Sequence, residues 1–166
     1  DVLAMVSYPG YDNNKMANTV DAEYYAQLNA DKSSPQLNFA TQYKAAPGST
    51  FKIVSATAGL MENVINLQTK VNCVGTFTEI TPSPRCWRIS GHGYENVTSA
   101  IKDSCNYFFY NVGYQLATRS GTYNEEEGLD TLSKYADLYG LTDKSGVEIG
   151  EYAPDVSTKD PVRSAI

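Results

Sequence analysis

The chain lacks several features, and most of these absences remove a class of function. The exception is that no apolar run approaches the roughly 20 residues of a membrane-spanning helix and no signal peptide is seen, which means little in a chain that reads as cut at both ends. No basic cluster interrupts a net charge of -6, which argues against a surface that tracks nucleic-acid phosphates. No glycine-rich loop suggests a phosphate site, and no paired carboxylates suggest glycosidase chemistry. The acidic run Glu125-Glu126-Glu127 reads as a solvated helix start favoured by the helix dipole. There is no internal repeat and no low-complexity segment. Histidine and tryptophan occur once each and cysteine three times, in 166 residues.

The remaining composition is that of a globular domain. A content of 42% hydrophobic and 19% charged residues can bury a core without disulfides. The length fits one domain or most of one. The chain opens without Met on "DVLAMVSYPG" and stops at "DPVRSAI" with no tail composition, so it reads as a piece of a longer protein.

Val2 to Ser7 predicts a buried strand closed by a Pro-Gly turn. Asp21 to Leu28 predicts a short helix, followed by the polar loop "ADKSSPQLN". The strongest helix pattern is "AAPGSTFKIVSATAGLMEN", punctuated at its start by Pro47-Gly48. Phe51, Ile53, Val54, Ala56, Ala58, Leu60 and Met61 leave it apolar nearly all round, which predicts a central, buried helix. "VNCVGTFTEI" reads as strand or extended loop, and "TPSPRCWRISGHGYEN" as irregular chain. Val97 to Asp103 and Asn106 to Ala117 predict two helices, the second with Phe108, Phe109, Val112 and Leu116 on its apolar side. Glu125 to Tyr139 predicts an amphipathic helix stopped by Gly140.

Ser49 and Lys52 form S-x-x-K. Residues three apart share a helix face, so the amine can reach the hydroxyl. A serine needs an adjacent base to become a nucleophile, and a desolvated lysine can be that base. Free backbone N–H groups in a first helical turn favour a developing oxyanion. Ser99 and Lys102 repeat the same spacing, but in a short polar helix, where a surface serine and a solvated lysine are the better reading. Ser49 opens an apolar helix, where a lysine has no ordinary reason to be.

The stretch "YKAAPGSTFKIVSATAGLMEN" resembles the active-site helix of penicillin-binding proteins. "DVLAMVSYPGYDNN" resembles the strand and turn before it. "GHGYENVTSAIKDSCNYFFYNVGYQLA" resembles the segment carrying their second motif, Ser-x-Asn, and "YADLYGLTDKSGVEIGE" the helix and loop that follow. The similarity covers nearly the whole chain in order and points to class B transpeptidases of the elongation type. It implies an α+β fold, a helical subdomain against an antiparallel sheet, of which this piece holds most of the helices and little of the sheet. Residues 1–166 would be part of a transpeptidase domain, without the N-terminal anchor and pedestal and without the C-terminal strand of the third motif.

The resemblance implies a serine D,D-transpeptidase that cross-links peptidoglycan stem peptides and is acylated by β-lactams. Such an enzyme works beside a glycosyltransferase at the extracytoplasmic face of the bacterial plasma membrane, held there by an anchor outside this chain. Ser49 would be the nucleophile, Lys52 its base, Ser104 the proton relay to the leaving group, and Asn106 the holder of the substrate amide. A hydroxyl that donates and accepts, and an amide that matches a peptide bond, suit those roles. Ser and Asn are also good helix N-caps, and both readings can hold together. Lys144-Ser145-Gly146 has the letters of the third motif, but it sits in a turn. The catalytic triplet is expected beyond Ile166, and the chain alone would then be inactive unless a second chain completed it. A D,D-carboxypeptidase, a β-lactamase or a β-lactam sensor would share S-x-x-K. An inactive, zinc-stabilised structural fragment is the alternative from another class.

Cys73, Cys86, His92 and Cys105 are all the cysteines and histidines, and they fall within one stretch of 33 residues. Three thiolates and an imidazole suit tetrahedral Zn2+ in a structural role, although no CxxC pair is present. A Cys73–Cys86 disulfide, a buried Cys105 acting as a small hydrophobe, and a hydrogen-bonded loop His92 are the other readings. Some elongation-type members carry metal-ligand residue types at these places. Trp87 is expected to pack over its loop, and no functional choice can be made among the 13 tyrosines.

Overall fold

The computed structural model describes residues 2–155 and 161–166. The chain divides into two compact units, one drawn from Asp1–Ala45 and Lys144–Pro154, the other from Ala46–Asp143 and Asp155–Ile166. The architecture is α+β: helices with a two-stranded antiparallel sheet. Among the described residues no helix is long and apolar enough to cross a membrane.

The first unit carries helix α1 (Ala22–Ala30) and the one-turn helix α2 (Phe39–Gln42). The Asp21 carboxylate caps α1 by accepting the Tyr24 N–H at 3.0 Å, as an N-cap aspartate should. The Asn38 side chain caps α2, which the sequence reading did not foresee. The predicted strand from Val2 to Ser7 does not form. Val2, Leu3 and Val6 are 65%, 95% and 79% exposed, and no strand among the described residues pairs with them. A strand exists only where a neighbour takes its backbone hydrogen bonds. Here the segment is held by the Ser7 hydroxyl, which donates to Leu37 O and accepts the Phe39 N–H.

The second unit holds α3 (Lys52–Met61), β1 (Val71–Cys73), β2 (Gly93–Glu95), α4 (Val97–Lys102), α5 (Asn106–Ala117), α6 (Glu125–Leu138) and α7 (Pro161–Ser164). α5 is central: Phe108, Phe109, Val112 and Leu116 are fully buried, and α3, α4, α6 and α7 all pack on it. The Asn124 side chain caps α6, and Gly140, at φ 69°, follows its end.

Helix α3 departs from the apolar pattern in an informative way. Ile53 and Met61 are 48% and 64% exposed, whereas Lys52, Ser55, Ala56 and Gly59 are buried. Val54 and Ala58 are buried as well, so apolar and small residues and one lysine share the inward side, as expected of a central helix. Only the exposed Ile53 and Met61 depart from a helix buried all round. Strand β2 lies in chain expected to be irregular, where Cys73 pairs with Gly93 and Val71 with Glu95.

Glu62, at the C-cap of α3, joins three elements. Its carboxylate accepts from Lys134 Nζ at 2.9 Å and from the Tyr135 hydroxyl at 2.9 Å, both on α6, and pairs with Arg119 just beyond α5. The Lys134 and Tyr135 hydrogen bonds hold the carboxyl below its ordinary range. A carboxyl with a depressed folded-state pKa contributes stability above its unfolded value and loses it as pH falls. Glu62→Gln is therefore expected to lower Tm by about 3 °C at pH 7. The gap from the parent should close below about pH 4, as thermal melts across pH would show.

Candidate active site

The turn Gly48–Phe51 is a 3-10 helix that runs directly into α3. Gly48, at φ 56°, makes the left-handed step that starts it. Ser49 is left exposed on this turn, and Lys52 is buried one turn on at 2% exposure. The Lys52 amine lies 3.1 Å from Ser49 Oγ, 2.9 Å from Ser104 O, 2.9 Å from Ser104 Oγ and 2.6 Å from Asn106 Oδ1. Ser104 Oγ donates to Ser49 Oγ at 2.9 Å. The structure thus gathers Ser49, Lys52, Ser104 and Asn106 around one nitrogen. Burial draws the Lys52 amine below its ordinary pKa, while the Cys105 and Cys86 thiols push the other way.

Ser104 reaches this point through an unusual backbone. α4 ends at the C-cap Asp103, and Ser104 follows with φ 50°. The Ser104 N–H bonds Ile101 O at 3.2 Å and the Cys105 N–H bonds Ala100 O at 2.9 Å. This is a Schellman turn with serine at the left-handed position that glycine usually takes. A non-glycine residue there costs roughly 1–2 kcal/mol. In return the turn aims both the hydroxyl and the carbonyl of Ser104 at Lys52. The N-cap of α5 is Cys105, not Ser104 or Asn106, and its side chain makes no capping hydrogen bond. The expected capping role of Ser104 and Asn106 is therefore not filled, because both side chains are spent on Lys52.

Cys73, Cys86, His92 and Cys105 converge as the sequence suggests, with their ligand atoms all within 4.8 Å of one another. Two glycines at positive φ bring the chain together. A Cβ on Gly75 would stand 1.9 Å from Ile89 O, and one on Gly91 would stand 2.0 Å from Cys73 O. Only bare backbone can cross this closely. His92 Nδ1 lies 3.6 Å from Cys73 Sγ and 3.5 Å from Cys86 Sγ. A tetrahedron with Zn–S near 2.3 Å and Zn–N near 2.05 Å has an S–N edge of about 3.6 Å. The donor set and its spacing thus fit a zinc ion. All three thiols are free and buried. Burial raises Cys86, but the N–H groups of Tyr107, Arg88 and Asn106 outweigh it and hold the thiol below its ordinary pKa. Burial, aided by Cys73 and Cys86, pushes Cys105 strongly upward. Crowded buried thiols cannot all ionise without a compensating cation.

Trp87 is where the sequence reading fell short. Although 62% exposed, it does more than pack on its loop. Its indole N–H donates to Ser104 O at 3.1 Å and Asp103 O at 3.2 Å, and its ring meets the His92 ring edge-on at 5.1 Å. The only sequence signal was adjacency to Cys86. The second S-x-x-K behaves as expected: Ser99 closes a capping box with Asn96, and Lys102 is exposed beside Asp103. Ser145 donates to Glu151 in an exposed turn outside any strand.

Residues 1–165 match the model of the penicillin binding protein transpeptidase domain. The chain is 34% identical over 162 residues to peptidoglycan D,D-transpeptidase MrdA of Haemophilus influenzae, covering 96% of this chain and 23% of that protein. Pseudomonas aeruginosa PBP2 superposes with a TM-score of 0.80 at 29% identity, over 92% of this chain and 33% of that one. Penicillin-binding protein A of M. tuberculosis, solved as an imipenem acyl-enzyme, gives a TM-score of 0.79 at 24% identity, over 98% and 37%. The chain belongs to the penicillin-binding-protein transpeptidase domain family, and it spans about a quarter of the length of the curated relative.

Ser104→Gly removes the backbone strain together with the hydroxyl. Its Tm is expected at or above the parent's, by up to about 4 °C, in a thermal melt. A lower Tm would mean that the hydroxyl hydrogen bonds outweigh the strain.

Proposed function

We propose that this chain carries the acylation centre of a serine D,D-transpeptidase that cross-links peptidoglycan and is acylated by β-lactams. The observation that supports it most is the Lys52 amine, buried and ringed by Ser49 Oγ, Ser104 O, Ser104 Oγ and Asn106 Oδ1. An ammonium has three N–H groups for these four oxygens, whereas a neutral amine has two and a lone pair. The neutral form closes a ring: Lys52 donates to Ser104 Oγ, Ser104 Oγ–H donates to Ser49 Oγ, and Ser49 Oγ–H turns to the Lys52 lone pair.

In that arrangement Ser49 Oγ adds to the carbonyl carbon of a stem peptide's terminal amide or of a β-lactam. Its proton passes to Lys52. Ser104 then delivers its proton to the departing nitrogen as the C–N bond breaks and takes back the proton held by Lys52, which leaves an ester on Ser49 and both groups in their starting forms. The amine of a second stem peptide attacks that ester and restores the Ser49 hydroxyl. Asn106 holds the substrate amide while its Oδ1 fixes the lysine. Work beside a glycosyltransferase at the extracytoplasmic face of the plasma membrane completes the reading. It draws on the family and on the naming of the relative as a peptidoglycan transpeptidase.

Cys73, Cys86, His92 and Cys105 would hold one structural Zn2+. Four protein ligands leave no open position, so the ion would tie the 73–92 segment to the start of α5 and activate no water.

Two experiments test these assignments in the full-length protein. A fluorescent penicillin is expected to label Ser49, with no labelling of Ser49→Ala and at least about a hundredfold slower labelling of Lys52→Ala, as loss of a general base implies. Labelling of Ser49→Ala would refute the nucleophile. Native mass spectrometry should find one zinc per chain, lost to a chelator with a drop in Tm. A metal-free mass lighter by two hydrogens would establish a disulfide instead.

A further inference from the structure

Trp87 stands outside every role assigned above, yet it touches both clusters. Its indole N–H is shared between Asp103 O and Ser104 O, at 3.2 and 3.1 Å. These are the last two carbonyls of the turn that ends α4, which have no partner within the helix. The same ring lies edge-on to His92. His92 Nδ1 faces the Cys73 and Cys86 sulfurs while Nε2 is buried without a hydrogen-bond partner, so on that side of the imidazole, ring packing takes the place of a polar contact.

We propose that Trp87 is a positioning residue for the acylation step, holding the Ser104 carbonyl so that the strained serine keeps its hydroxyl on Lys52 and Ser49. The inference rests on the reading of Ser49, Lys52 and Ser104 given above. A left-handed serine persists only where its surroundings over-determine it. Within the turn, the N–H groups of Ser104 and Cys105 are held by Ile101 O and Ala100 O. The Ser104 carbonyl is held by two side chains, the Lys52 amine at 2.9 Å and the Trp87 indole. Lys52 exchanges a proton during the reaction, so its grip on that carbonyl changes along the way. The indole N–H keeps its proton throughout. It is therefore the constant hold on the turn, and it carries the order of the Cys/His cluster into the position of Ser104 Oγ.

The test separates positioning from packing and from ligand contact. In the full-length protein, acylation by a fluorescent penicillin is followed over a range of concentrations. This yields the dissociation constant of the first complex and the acylation rate within it. Trp87→Phe retains an aromatic ring against His92 and deletes the N–H. It should lower the acylation rate about tenfold, the factor one ordinary hydrogen bond carries, with the dissociation constant and bound metal unchanged. Benzothienylalanine at position 87 keeps the indole shape without the donor, and should behave alike. An unchanged acylation rate in both variants overturns the proposal. So does a weaker dissociation constant alone, which would make the ring a ligand contact. A rate that falls only with loss of metal also overturns it, because the effect would then run through His92. Labelling of Ser49→Ala would instead overturn the underlying reading of the nucleophile.

Discussion

The site depends on one buried amine. Lys52 is 2% exposed, and its nitrogen touches oxygens from Ser49, Ser104 and Asn106. A buried lysine without partners would destabilise the core by several kcal/mol, so the fold must bring acceptors to it. Ser104 and Asn106 lie 52 and 54 residues away in sequence. The helix carrying Lys52 must therefore pack on the segment carrying Ser104 and Asn106 whatever else the chain does. Gly59 serves that requirement by letting α3 approach α5 closely, since a Cβ there would stand 3.0 Å from Val112. The helix packing that satisfies the lysine also builds a serine–lysine–serine ring.

The same amine accounts for the strain at Ser104. A glycine at that left-handed position would suit the turn better, but it would bring no hydroxyl. Serine there gives up stability for a group that both accepts from Lys52 and donates to Ser49. This is the kind of local conflict expected where a structure serves chemistry as well as folding. Glu62 offsets some of that loss at the other end of α3, clamping the helix to α6 through Lys134 and Tyr135. The stabilising and functional ends of one ten-residue helix are thereby kept apart.

Much of this was legible in the sequence because it rests on local rules. Ser49 and Lys52 share a face at spacing three, Glu125 opens an acidic helix start, and α5 keeps its apolar side. Its bounds coincide with the predicted Asn106 to Ala117. The convergence of Cys73, Cys86, His92 and Cys105 followed from their confinement to one window. What stayed hidden depends on partners distant in the chain. Val2 to Ser7 has strand composition but no neighbouring strand among the described residues. α3 is apolar nearly all round, so composition alone does not show that Ile53 and Met61 face outward. Trp87 acts through its N–H on carbonyls 16 and 17 residues along, and residue type alone does not show that.

Cys105 shows why the two clusters belong together. Its N–H closes the Schellman turn of α4, and it is also the residue from which α5 starts. Its sulfur faces Cys73, Cys86 and His92, while its two neighbours face Lys52. Ser104 and Asn106 reach Lys52, while Cys105 between them is fully buried with its sulfur on the other cluster. A hydrophobe would fill that space but would offer the 73–92 segment no donor to share with Cys73, Cys86 and His92. A thiol can join the other donors around a shared ion, and the chain that carries Trp87 is then fastened to the turn that Trp87 supports. In this geometry the proposed metal and the proposed acylation centre lie on the two sides of one tripeptide, and an order imposed on one side reaches the other through a single residue.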